Sequence, residues 1–267
     1  MKNTIIRTTI ACISLIFIGL MLTRQMYAKV DLSSAVAIWL FDEGKGDEVK
    51  DFTGNGNDGK LMNGPKWVDG KFSKALSFDG QDDYVEINNS VNLVDPDFTI
   101  GFWVNPGDTQ KMYADIISNH GGGAGLVGYC FEQFENNANQ FYNTFGVGGG
   151  FLEQKVAMTQ LTPGVWQHFM SVRKDTTLTH YVDGKETASG TTPKGPVTES
   201  PKNLWIANWS VESGRQFNGI IDELVIFNQA LSIDDIKTIM SKGLVGVSAV
   251  SPSGKLTTAW AIIKIQK

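Results

Sequence analysis

Strict two-residue alternation constrains this chain more than any other feature of its sequence. In "FTIGFWVNP" the apolar residues Phe98, Ile100, Phe102 and Val104 fall on one face, and Thr99, Gly101, Trp103 and Asn105 on the other. The pattern recurs in "KALSFDG", in "YVEI" and in "WQHFMSVRK", where Trp166, His168, Met170 and Val172 share a side. "LTHYVDGKET" places Asp183-Gly184 between extended residues, a strong signal for a two-residue hairpin. Further strand character appears in "VAIWLFDE", "YCFEQF", "QFYNTFGV", "NLWIAN" and "GIIDELVIFN". Helical spacing is confined to "SIDDIKTIMSKG", with Ser232 as cap, acids in the first turn and Gly243 as terminus. Many short strands with Gly, Asn and Asp turns and one short late helix predict an all-β antiparallel sandwich.

The N-terminus sets an address. Lys2 and Arg7 precede the apolar run Ile10 to Leu22, followed by Arg24 and the small residue Ala28, which is the layout of a secretory signal peptide over residues 1–28. The run is shorter than the ~20 residues that span a bilayer, so the expected location is secreted or cell surface, with a membrane role only through an uncleaved anchor. Removing that segment leaves 20 basic against 28 acidic residues, a net charge of about −8, and argues against a nucleic-acid partner. Only Cys130 survives such processing, so no intrachain disulfide is available. The expected organisation is a domain over 29–243 and a separate tail over 244–267.

The blocks "AIWLFDEGKGDEVKDFTGNGNDGKL", "ALSFDGQDDYVEI", "FTIGFWVNP", "WQHFMSVRKDTTLTHYVDGKE" and "FNGIIDELVIFNQALSIDDI" resemble, in this order, the laminin-G-like jelly-roll domains of the concanavalin A-like lectin and glucanase superfamily. The resemblance spans about Val36 to Gly243. It implies the jelly roll but leaves function open among lectins, adhesion modules, pentraxins and glycosidases.

Two sites are expected. The stretch "DFTGNGNDGKL", from Asp51 to Leu61, is too rich in Gly, Asn and Asp for a helix interior or regular strand. Asp222 sits among Ile220, Ile221, Leu224 and Val225, where a carboxylate requires hydrogen bonds or a cation. Calcium, with its six to eight oxygen ligands at about 2.3 to 2.6 Å, is one answer. The resemblance implies a Ca2+ site joining the loop after the first strand to the Asp of a "G-x-I-D-E" strand, and so implicates Asp51, Asn57 and Asp222, with Asp42 as an addition. The alternative is that Asp51 and Asn57 are turn formers bonding their own backbone. It is not an EF-hand, because Met62 stands where the bidentate Glu is required.

A ligand surface is expected among Trp209, Tyr113, His120, Tyr142 and Arg215, near Asn119, Asn139 and Asn143, because sugar sites pair an aromatic ring with polar groups. Trp39, Trp103, Trp166 and Trp205 are expected in the core. Glycosidase relatives carry E-x-D-x-E or E-x-D-x-x-E on one strand, which this chain lacks. Glu132 and Glu135 read as solvated charges, Cys130 as a small core residue, and "GGGAG" lacks the context of a phosphate loop. The expectation is a non-enzymatic module for a glycan or, alternatively, for a cell-surface or matrix protein.

Overall fold

The computed structural model describes residues 30–121, 127–134, 139–148, 153–211 and 214–248. The leader over 1–28, Glu135 and the tail beyond Ser248 lie outside these. Among the described residues, sixteen strands follow a 3-10 turn at Leu32–Ser34. They are β1 (Ala35–Trp39), β2 (Glu48–Val49), β3 (Gly59–Met62), β4 (Lys66–Asp69), β5 (Lys74–Asp79), β6 (Tyr84–Ile87), β7 (Phe98–Pro106), β8 (Asp115–Ser118), β9 (Tyr129–Gln133), β10 (Gln140–Phe145), β11 (Glu153–Gln160), β12 (Gln167–Lys174), β13 (Thr177–Val182), β14 (Lys185–Thr191), β15 (Leu204–Ile206) and β16 (Asn218–Phe227). One helix, α1 (Ile233–Ser248), follows.

The strands form two antiparallel sheets. The first runs β14-β13-β12-β7-β16-β5-β4 with β1 also on β16, and the second runs β11-β10-β9-β8-β15-β6-β3-β2. Alternation dictates the layering. Phe98, Ile100, Phe102 and Val104 of β7 point between the sheets, where they meet Phe131 of β9, Phe141 and Phe145 of β10 and Phe169 of β12. The opposite face of the first sheet, with Ile38, Met170, Val172, Val225 and Phe227, is covered by Ile236, Ile239, Leu244 and Val247 of α1. The sandwich therefore has two apolar layers, one between the sheets and one under α1, and the outer face of the second sheet lies outside both.

Local chemistry explains the connections. Asp183 and Gly184 both have positive φ, 49° and 68°, the requirement of a type I′ turn between β13 and β14. Ser232 Oγ accepts from the Asp235 amide at 3.2 Å while Asp235 Oδ2 accepts from the Ser232 amide at 3.1 Å, a reciprocal cap on α1. Gly243 interrupts the helix at φ 69°, as its expected role of terminus requires, but helical residues resume and extend to Ser248. Trp39 and Trp103 are buried, whereas Trp166 and Trp205 are only half-buried, correcting their placement in the core. Trp205 instead stacks on Tyr84, with ring centroids 4.4 Å apart.

Candidate functional site

The loop from Asp51 closes on itself. Asp51 Oδ1 accepts from the Ile38 amide (3.2 Å), the Thr53 amide (3.0 Å) and Thr53 Oγ1 (2.7 Å), and its Oδ2 accepts from the Asn57 amide and Asn57 Nδ2, both at 3.1 Å. Asn57 Oδ1 in turn accepts from Asn89 Nδ2, and the Asn57 carbonyl from Trp39 Nε1. These five donors occupy the lone pairs of both Asp51 oxygens, leaving none for an ion. Asp51 and Asn57 therefore do not fit the expected calcium cage; they form a hydrogen-bonded clasp over the end of β1. Asp51→Ala is expected to cost about 2–4 kcal/mol, because it strands buried amides; chemical denaturation measures this.

Asp222 and Asp42 stand in a different place. Ile221, Leu224 and Ile226 all face the inter-sheet core, which strict alternation forbids. The pairing with β7 shifts between Asp222 and Val225, and Glu223 has a positive φ of 47°, so β16 bulges here. The bulge lets two successive carboxylates leave the core, both beside Phe72. Asp222 Oδ2 accepts from the Phe72 amide at 2.9 Å, and Glu223 accepts from the Leu244 amide at 2.9 Å. Asp42 Oδ1 accepts from the Lys74 amide. Asp222 Oδ1 has no partner, the kind of orphaned oxygen a cation would satisfy. Burial first, then the charge of Asp42, raises Asp222 to about 7; burial and the Asp222 charge raise Glu223 to about 8. The four expected calcium ligands thus divide into two groups, Asp51 and Asn57 in the clasp and Asp42 and Asp222 beside the β16 bulge, and of these the unbonded Asp222 Oδ1 is the atom open to an ion.

The expected ligand residues, by contrast, converge. Strand β9 alternates: Tyr129 and Phe131 enter the core, and Cys130 and Glu132 face outward. Asp115 of β8 lies opposite Glu132, and Tyr142 of β10 pairs with it on the other side. Above this floor, Arg215 Nη1 donates to Glu132 Oε2 at 3.0 Å. Its guanidinium lies 4.0 Å from the Trp209 ring centroid and 5.0 Å from that of Tyr113. Trp209 Nε1 donates to His120 Nδ1 at 3.3 Å. Trp209, Tyr113 and Arg215 are part-exposed, while His120 and Tyr142 are buried beneath them. Burial, then the Arg215 charge, lowers His120 to about 4, so the ring is neutral at neutral pH.

Two expectations fail at this cluster. Glu132 is not solvated: it is buried, accepting from Thr144 Oγ1 and Arg215. Cys130 is buried, as expected, with the Glu132 and Asp115 carboxylates beside it, and burial followed by their charges pushes its thiol well up. The asparagines do not line the ligand surface. Asn143 faces inward, accepting from Ser171 Oγ and bonding His180 Nε2, while Asn119 and Asn139 are buried and brace loops. Asp115 was missed. The period-two reading of "YCFEQF" already puts Cys130 and Glu132 on one face, but nothing local marks Asp115 as their cross-strand partner.

A laminin G family model of the concanavalin A-like lectin/glucanases superfamily matches residues 79–237. The chain belongs to that superfamily. The sandwich also resembles domain 4 of AbnA, an extracellular arabinanase of Geobacillus stearothermophilus solved with arabinotriose (TM-score 0.57, 18% identity, 78% of this chain and 98% of that one). It resembles the binding domain of Paraclostridial Mosquitocidal Protein 1 (TM-score 0.57, 18% identity, 78% and 52%). A Trypanosoma rangeli sialidase complex aligns at TM-score 0.60 and 17% identity over 81% of this chain, which spans 34% of the sialidase. At these identities the shared property is the fold. It is the fold of a superfamily whose description joins lectins with glucanases.

Proposed function

We propose that the chain is an exported, non-catalytic carbohydrate-recognition module whose ligand lies against the Trp209, Tyr113 and Arg215 cluster on the outer face of the second sheet. The observation that carries this is the stack of Arg215 on Trp209 and Tyr113, anchored to Glu132, because it gathers apolar rings and polar donors at one rim. The arabinotriose held by the arabinanase domain supports the same ligand class. Recognition is favoured over hydrolysis because both carboxylates on this face, Asp115 and Glu132, are buried rather than open to a glycosidic bond, and Glu132 is already bound to Thr144 and Arg215.

A glycan array tests the reading. Trp209→Ala and Arg215→Ala are each expected to weaken specific hits by about tenfold or more. A blank array together with a captured cell-surface or matrix protein would replace this reading with the adhesive one.

Calcium, in this reading, is structural. Asp42 and Asp222, with Glu223 beside them, would hold it, and its charge would offset their mutual repulsion. EDTA is then expected to lower the melting temperature by a few degrees, about 1–2 kcal/mol for a domain of this size. Asp222→Ala should abolish the recovery of that loss on adding back Ca2+, whereas Asp51→Ala should leave the recovery intact while destabilising the clasp. A melting curve indifferent to EDTA would remove calcium from the account.

A further inference from the structure

The floor of this cluster holds more than its rim requires. One oxygen each from Asp115 and Glu132 and the sulfur of Cys130 all lie within 4.8 Å of one another. The three residues are 0, 5 and 2% exposed, respectively. Glu132 has a donor for each oxygen, but neither Asp115 oxygen meets a well-formed donor. A buried carboxylate whose nearest donor is the weak Cys130 thiol is costly, and an opposing cation is one of the few groups that offset the cost.

We propose that Asp115, Cys130 and Glu132 form a three-ligand site for a zinc-class dication beneath the cluster. The strand register places the ligands without any loop: Asp115 and Glu132 are direct cross-strand partners, and Cys130 is two residues along β9 on the same face. The donor set selects the metal. One sulfur and two carboxylates within a tight triangle suit tetrahedral Zn2+, whereas Ca2+ and Mg2+ take more ligands, all oxygen. Bonds of about 2.3 Å to sulfur and about 2.0–2.2 Å to oxygen put tetrahedral ligand atoms about 3.3–3.7 Å apart, so small side-chain rotations close the triangle. Charge also balances, since three anionic ligands are matched by a dication and the Arg215 guanidinium already on Glu132. Water would complete the shell. Asp42 and Asp222 form a separate pair with oxygen donors only, so the two metal sites are independent.

The test uses the full chain freed of metal and titrated with Co2+, then Zn2+. One equivalent of Co2+ should bind with a thiolate-to-cobalt charge-transfer absorption that Zn2+ displaces. Cys130→Ser should remove the absorption and weaken Zn2+ binding by about tenfold or more, and Glu132→Gln should weaken it comparably. Cys12→Ser should change neither. Zn2+, but not Ca2+ at the same concentration, should raise the wild-type melting temperature through this site, and the rise should vanish in Glu132→Gln; this arm serves if Cys130→Ser does not fold. Absence of both the absorption and the zinc-dependent rise in wild type overturns the site, as does an absorption lost in Cys12→Ser but kept in Cys130→Ser.

Discussion

Phe131→Ala is expected to lower the unfolding free energy by about 3–5 kcal/mol, among the largest effects available to one substitution here. Phe131 is fully buried at the middle of β9. Its ring centroid lies 4.3 Å from that of Phe169, 5.5 Å from Phe141 and 5.7 Å from Phe102, joining strands of both sheets. Removing it leaves a cavity walled by rigid aromatic rings on regular strands, which cannot collapse inward. Phe131→Leu, which keeps more of the volume, should cost less than half as much. The same strand carries Cys130 and Glu132 on its other face, so the alanine variant should also blunt any binding at the cluster at temperatures where it is still folded. Urea denaturation gives the energies, and a loss below about 1 kcal/mol would contradict the packing described for this layer.

How much of this was legible in advance follows from the range of each interaction. The faces of β7, the Asp183-Gly184 hairpin and the Ser232 cap are set by neighbours a few residues apart, and a period-two or capping pattern reads them directly. Trp209, Tyr113, His120, Tyr142 and Arg215 also converge as expected, because rings and a guanidinium in polar loops on a sandwich have few places to cluster. Asp51 and Asn57 are a different case. Asp51 and Asn57 had two ways to satisfy their oxygens, and the local donors won over a distant ion. Asp222 is buried and hydrogen-bonded, as its apolar neighbours imply, but the direction it faces is set by a bulge that breaks the alternation. A bulge leaves no clear trace in apolar periodicity when both neighbouring faces are apolar. Asp115 depends on β8–β9 register across an intervening loop, which no local pattern encodes.

Stability should peak in mildly acidic solution, and the buried titratable groups give the reason. His180 lies between the sheets, with Nδ1 bonded to Thr159 Oγ1 and Nε2 to Asn143 Oδ1, and faces Phe131 and Phe169. His168 lies on the opposite face against Trp103, near Lys71. Burial lowers both to about 3. A base with a depressed folded pKa contributes stability that is present above its unfolded value, ~6.5, and is lost as pH falls toward 3. Asp222 and Glu223 act with the opposite sign. Their raised values, about 7 and about 8, mean that their contribution is full below the ordinary carboxylate range near pH 4 and is lost as pH rises through 7 to 8. Between about pH 4 and 6.5 the two effects oppose each other, so denaturation midpoints should form a plateau there, falling on the alkaline side through 7–8 and on the acid side below 4. His180→Gln should shrink the acid limb while leaving the alkaline one, because a neutral amide has no proton to gain. Calcium should flatten the alkaline limb alone, by supplying beside Asp222 and Glu223 the positive charge that a proton supplies at lower pH. A profile that instead rises steadily to pH 8 in the absence of calcium would show that these two carboxylates are not held where the β16 bulge puts them.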